Sequence, residues 1–379
     1  MKPDRAPDQE TVRVLLTALL SERAEAVMLL VNGQVTLEWL QAQGLLQFVS
    51  YVARHARDLP ADVFNQMRAT HYTALAQAEV RQRELSAILQ SFATHGVVPI
   101  VFKGVALAYT VYPSPAYRPM GDMDMWIASP DDMARAQEVL AQLGFTYLPK
   151  RDRPLAIVIQ TRSTMQWVKT SPDLLVELHW GAFKGQWMRY ATRIDEAEIL
   201  LRTIPLVLCG QMVKGLSPED NVIQLAFHFV ANHKMNFPLR GVLDLALFVK
   251  HTPVHWELLV SRARSWHVQT PIWLMLRILH ILAAMTELEP VMTQLSPPPL
   301  RRFFLTRLVD VDKILAGRDL SRGVLRFIFQ FLIVDRFRDA IALVIRALWP
   351  ENDWLVARYG EKGIKVRLKH CTSALRGNV

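Results

Sequence analysis

Between residues 96 and 180 the sequence changes texture, and that change limits what the chain can fold into. Upstream, Val12, Leu15, Leu16, Leu19 and Leu20 keep a helical stripe. Phe64 through Phe92 is a long run of Ala, Gln, Leu, Arg and Glu, all good helix formers. It stops at Thr94-His95-Gly96, where glycine supplies a C-terminal stop. Val97-Val98-Pro99-Ile100-Val101-Phe102 then reads as a short buried strand, and 105–112 as a helix ended by Pro113 and Pro115. A second strand covers about 121–128. Ser129-Pro130-Asp131-Asp132 starts a helix, with Ser129 as N-cap, proline in the first turn and acids favoured by the dipole. That helix runs to Leu143 and ends at Gly144. Two more strands follow at 156–168 and 174–180, joined by a turn at Thr170-Ser171-Pro172-Asp173.

From about 186 onward the pattern is again mainly helical, at 221–230, 240–250, 256–266 and 271–288. Ser296-Pro297-Pro298-Pro299 is the clearest linker. The fold class is therefore α+β, a small mixed sheet embedded between mainly helical N- and C-terminal regions. Four segments result: a helical region 1–95, an α/β core 96–185, a helical region 186–295 packing on that core, and a basic helical region 296–379.

Composition excludes several classes. With 51% hydrophobic and 21% charged residues over 379 positions, a sizeable core is affordable and disorder is not expected. Cys209 and Cys371 stand apart, so neither a disulfide framework nor zinc spacing is present. The most apolar later stretch, 324–348, is broken by Asp335-Arg336-Phe337-Arg338-Asp339, so no membrane span of about 20 residues is expected. A cytoplasmic protein is the expectation. The net charge is +9, and from Arg301 onward there are 16 Lys+Arg against 8 Asp+Glu, a surplus of +8. Such a tail is either a set of solvated helix faces or a surface for RNA, a phosphorylated ligand or an acidic partner.

Chemistry enters with Asp122-Met123-Asp124. In a strand, both acids point to one side, while Met123, Met125 and Ile127 point to the other. Two like charges so close either lie in water at a strand end or hold a cation. Glu177, in Val176-Glu177-Leu178-His179-Trp180, lies near the end of another strand. Three carboxylates converging from neighbouring strands can hold divalent cations, which bridge phosphate oxygens and neutralise developing charge. Phe102-Lys103-Gly104 lies where a strand meets a helix: the helix N-terminus offers N–H groups to a phosphate, glycine permits close approach, and lysine adds a point charge.

Phe102-Lys103-Gly104, Tyr112-Pro113, Arg118, Asp122-Met123-Asp124 and Glu177-Leu178-His179-Trp180 together resemble the signature of uncharacterised bacterial nucleotidyltransferases, nucleotidyltransferase family 5 of the DNA polymerase β-like superfamily. The resemblance covers about 80–260. It implies Mg²⁺- or Mn²⁺-dependent transfer of a nucleotidyl group from an NTP, with ATP the expected donor, to a hydroxyl or phosphate of a small molecule, peptide or protein. It implies Asp122 and Asp124 as metal ligands, and Glu177 as the third carboxylate, able to ligate metal and act as base. The superfamily's usual Gly-Ser at the phosphate-binding turn is replaced by Lys103-Gly104, and Glu177 is one methylene longer than aspartate. The alternative is an inactive core that binds RNA or a protein through its basic helices; nucleic acid is the less favoured partner.

Several roles stay open. Arg118 either pairs with a triphosphate or neutralises the acids. His179 shares a strand face with Glu177, and either orients it, contacts nucleotide or is structural. His228, His233, Arg240 and Asp244 form a second polar cluster: either helix packing with an Arg240–Asp244 pair four residues apart, or a wall from which His228 or Arg240 touches nucleotide or acceptor. Histidines five apart on an α-helix do not share a face, which argues against zinc there.

Overall fold

The computed structural model describes residues 6–56, 59–149, 164–183 and 190–375. Seven strands, β1 (Ile100–Val101), β2 (Met123–Trp126), β3 (Thr146–Leu148), β4 (Met165–Thr170), β5 (Asp173–His179), β6 (Ile204–Leu208) and β7 (Gln211–Gly215), form one sheet. Their order is β3-β4-β5-β2-β1-β7-β6. The pairs β2–β5 and β1–β7 are parallel, and the others are antiparallel, so the sheet is mixed. Helices precede, interrupt and follow it, and the chain is α+β.

Alternation along β2 divides the apolar residues between two cores. Met123 and Met125 join a cluster with Val101, Val176, Leu178, Met133 and Val139. Trp126 joins a larger cluster that also takes Ile100 and Phe102 from beside it and is otherwise mainly helical. One helix serves both. Along Ala61–Thr94, the buried residues Val63, Met67, Ala74 and Ala78 belong to the helical cluster, whereas Leu85, Ile88, Leu89 and Phe92 belong to the sheet cluster. The second set recurs at i, i+3, i+4 and i+7, one helical face laid on the sheet.

Local chemistry accounts for most element ends. The helix Pro130–Gln142 starts at Ser129, whose Oγ accepts from the Asp132 N–H at 3.0 Å. The strand expected over 97–102 contracts to β1, because Pro99 has no N–H to pair; its carbonyl still accepts from the Lys214 N–H at 3.0 Å. Of the strand expected at 156–168, residues 156–163 lie outside the described residues, as does the boundary at 185 and 186; Met165–Thr170 is β4.

Two features differ from the sequence reading. β3 pairs with β4 at one edge. The hairpin β6–β7 stands in a stretch read as helical, and it turns at Cys209-Gly210 with φ of +50° and +75°. Two left-handed residues in a two-residue loop make the turn whose twist suits a hairpin, and glycine takes the second place without strain. Beyond it come the helices Pro218–Phe227, Arg240–His251, Trp256–Ser265 and Gln269–Leu282, close to their expected positions. The apolar stretch at 324–348 folds as two helices, Gly323–Ile333 and Phe337–Leu348. Among the described residues, no helix is long and apolar enough to cross a membrane.

Candidate active site

Parallel pairing of β2 with β5 builds the site. Its register sets Asp124 opposite Glu177 and Trp126 opposite His179. Residues two apart on a strand share a face, so Asp124, Glu177 and His179 stand together on one side of the sheet. One donor atom from each lies within 4.8 Å of the other two. All three side chains are buried.

Their contacts are short. The Lys103 Nζ donates to Asp124 Oδ1 at 2.7 Å, and His179 Nε2 lies 2.6 Å from the same oxygen. His179 Nε2 is also 3.5 Å from Glu177 Oε2. Ionised carboxylates only accept, so the contact is a hydrogen bond in the tautomer that carries its proton on Nε2. Gln166, opposite Glu177 on β4, donates Nε2 to Glu177 Oε1 at 2.7 Å. Lys103 has φ +53°, a left-handed turn where β1 gives way to the helix Lys103–Thr110. The Phe102 ring meets the His179 ring edge-on at 4.9 Å and holds it from the side.

Two carboxylates and an imidazole fit a divalent cation. Mg²⁺ prefers the oxygens, and Mn²⁺ accepts oxygen and imidazole nitrogen alike. Of the three expected metal ligands, Asp124 and Glu177 come together, with His179 as their third neighbour. Asp122 is half-buried just before β2 and is not in that group. Its negative charge acts on Arg118 and Arg240.

Arg118 and its partners form a second buried cluster beside the first. Its Nε and Nη2 donate to Asp244 Oδ1 and Oδ2 at 2.9 and 2.7 Å, and the Tyr112 hydroxyl donates to Oδ1 at 2.7 Å. Burial works against the guanidinium, but Asp244, aided by Tyr112 and Asp122, more than offsets it and holds the Arg118 pKa above its usual value. Burial, then the Asp244 charge, raises the Tyr112 phenol well above its ordinary range. The Arg240–Asp244 pair read from their spacing is replaced by this one, and Arg240 donates Nη1 to the Pro119 carbonyl at 2.7 Å. Burial, then Arg118, lowers the Arg240 pKa. A Cβ at Gly104 would stand 2.8 Å from Arg118 Nη1, so this glycine makes room for the guanidinium.

The helix Pro218–Phe227 continues into a π-helical turn, His228–Asn232. The wider turn brings residues five apart together, and His228 Nε2 lies 3.0 Å from His233 Nε2. The α-helical geometry used to separate these rings therefore does not apply. Gln166 is missed by the sequence reading, although the turn that pairs Thr170 with Asp173 sets it opposite Glu177; Asp244 is signalled by its spacing from Arg240, but its partner Arg118 is not.

A family model for uncharacterised nucleotidyltransferases matches residues 31–284, well over half of the 379. The chain belongs to that family. Within this nucleotidyltransferase match lie β1 to β7 and every candidate site residue named above. Among solved structures, the chain is similar to an antigenic nucleotidyltransferase-like protein from Paracoccidioides brasiliensis, at 15% identity and a TM-score of 0.37, over 56% of this chain and 92% of that one. No match is found among curated proteins.

Proposed function

We propose that the chain is a metal-dependent nucleotidyltransferase that moves a nucleoside monophosphate from an NTP to a hydroxyl or phosphate of a small molecule, peptide or protein. The observation that carries this reading is the convergence of the Asp124, Glu177 and His179 donors within 4.8 Å, beside Lys103 at a helix N-terminus. ATP is the first donor to test, Mg²⁺ and Mn²⁺ the first cations. An NTP-dependent reaction suits the cytoplasm, and 96–185 is the segment that would carry its chemistry.

In the reaction, an acceptor oxygen bonds to the α-phosphorus, the bond to the bridging oxygen breaks, and pyrophosphate leaves with the electron pair. Asp124 and Glu177 would hold the cation, with His179 as ligand or orienting neighbour; Asp122 would extend the set if its side chain turns inward. Such an ion neutralises charge on the phosphate oxygens and aligns the reacting groups. Glu177 would take the acceptor's proton on Oε2, the oxygen not engaged by Gln166. Lys103 would exchange Asp124 for the phosphates, joined by the N–H groups of the helix N-terminus. Arg118 and Gly104 would shape the phosphate pocket, and Arg240 and His228 the wall above it.

The test is calorimetric binding of ATP with Mn²⁺ or Mg²⁺, repeated with Asp124→Asn, alongside transfer of label from each NTP in cell extract. Metal-dependent nucleotide binding that disappears in the variant is the expected result. Binding that is unchanged in the variant would overturn the reading in favour of an inactive scaffold.

A further inference from the structure

We propose that the helical hairpin at 323–348 is a docking face for an anionic lipid surface, a reading independent of the nucleotidyl chemistry. Its two helices, Gly323–Ile333 and Phe337–Leu348, are apolar on opposite sides. Inward, Phe329, Ile333, Ala340 and Leu343 join the helical core. Outward, Val324 and Ile328 stand one turn apart on the first helix, and Phe337, Ile341 and Ile345 recur every four residues on the second. Trp349 continues that spacing just beyond the helix. Val324, Phe337 and Ile345 are 61%, 63% and 58% exposed, so these are not core residues at a rim.

The two stripes are joined. Phe331, partly buried against the helical core, meets Phe337 edge-on with ring centroids 5.5 Å apart, which links the two helices where the hairpin turns. The result is an apolar band on the outer side of helices that bury Phe329 and Leu343 on the other. Three arginines border the band. Arg336 and Arg338 flank Phe337 and share the single acid Asp339. The Arg367 guanidinium stacks over Trp349 at 5.4 Å. The sequence from Arg301 carries a surplus of +8.

This chemistry selects the occupant. A second copy would bring the same positive charge to the same place and repel. RNA would satisfy the arginines and leave the aliphatic band in water. An anionic bilayer satisfies both: the acyl boundary takes Ile, Val and Phe, the headgroup phosphates take Arg, and tryptophan suits the level between. With no described helix able to cross the bilayer, the hairpin would lie along its surface.

The test is flotation of the full chain with phosphatidylcholine vesicles, with and without phosphatidylglycerol. Binding is expected only with phosphatidylglycerol, weakening as salt rises past the point where the screening length falls below about 8 Å. The doubly substituted Ile341→Glu, Ile345→Glu chain should lose about tenfold or more in affinity, and Arg338→Glu less. Because these side chains point outward, unchanged circular dichroism melting would show that the fold is kept; Phe337→Leu serves as the conservative control and should still bind. Absence of binding, equal binding to both vesicle types, a dimer held by the same residues without lipid, or RNA binding lost in the same variants while lipid binding persists would each overturn the proposal.

Discussion

Two buried charge clusters lie side by side in this molecule and are built on opposite plans. In the Arg118–Asp244 cluster, each oxygen of one carboxylate meets its own guanidinium N–H, and Tyr112 completes the set. In the Asp124 cluster, Lys103 and His179 crowd a single oxygen, while Glu177 brings a second negative group to 3.5 Å from the same imidazole nitrogen. The first arrangement is saturated. In the second, two N–H donors meet one carboxylate oxygen beside a second carboxylate, and under the proposed function such a grouping would exchange an internal cation for an external one. Burial alone thus does not distinguish the two clusters; the way donors are matched to acceptors does.

The comparison can be broken most directly at Asp244. Asp244→Ala leaves Arg118 buried without its carboxylate and should cost about 3–5 kcal/mol in a denaturant titration; a loss below about 1 kcal/mol would show that the fork is not structural. Gly104→Ala is next. Its Cβ would press on Arg118 Nη1, so a loss of about 1–3 kcal/mol is expected, with nucleotide binding weakened if the guanidinium shifts toward the proposed phosphate pocket. Lys103→Met sharpens the contrast from the other side. Removing the ammonium that occupies Asp124 should tighten Mn²⁺ binding by about tenfold, while ATP binding weakens. Metal affinity that falls instead would make Lys103 a fixed part of the site.

A separate effect concerns a third charge, outside both clusters. Burial, reinforced by Arg326 and partly offset by Asp319, pushes the Lys234 pKa down to about 8 from 10.5. Between those values the unfolded chain holds a proton that the folded chain has released, so stability should rise with pH across this window. Below about 8 both states are protonated and the folded state carries the full penalty. Lys234→Met should flatten that slope in thermal melts taken from pH 7.5 to 10.5.

How much of this was legible in the sequence depended on the distance between partners. Ser129 caps its helix through a contact three residues away, and the signal lies within those residues. The common face of Glu177 and His179 follows from the two-residue period of a strand, whereas Gln166, set opposite Glu177 by the hairpin turn, is missed. Arg118 and Asp244 are 126 residues apart, and no local pattern announces which arginine that acid will take. The β6–β7 hairpin was hidden for another reason: an unusual Cys209 in a left-handed turn precedes Gly210, in a stretch bounded by helices. The π-helical turn defeats periodicity outright, since it changes the period from which facing residues are inferred.

The helix Ala61–Thr94 has a consequence for how the molecule can be taken apart. Its first half is roofed by the helical core and its second by the sheet. A cut at either end leaves one fragment with a bare greasy flank and the other with an open trough where that flank belonged. Genetic dissection of the sheet should therefore carry this whole rod along, and fragments that split it are expected to precipitate or to rejoin when mixed.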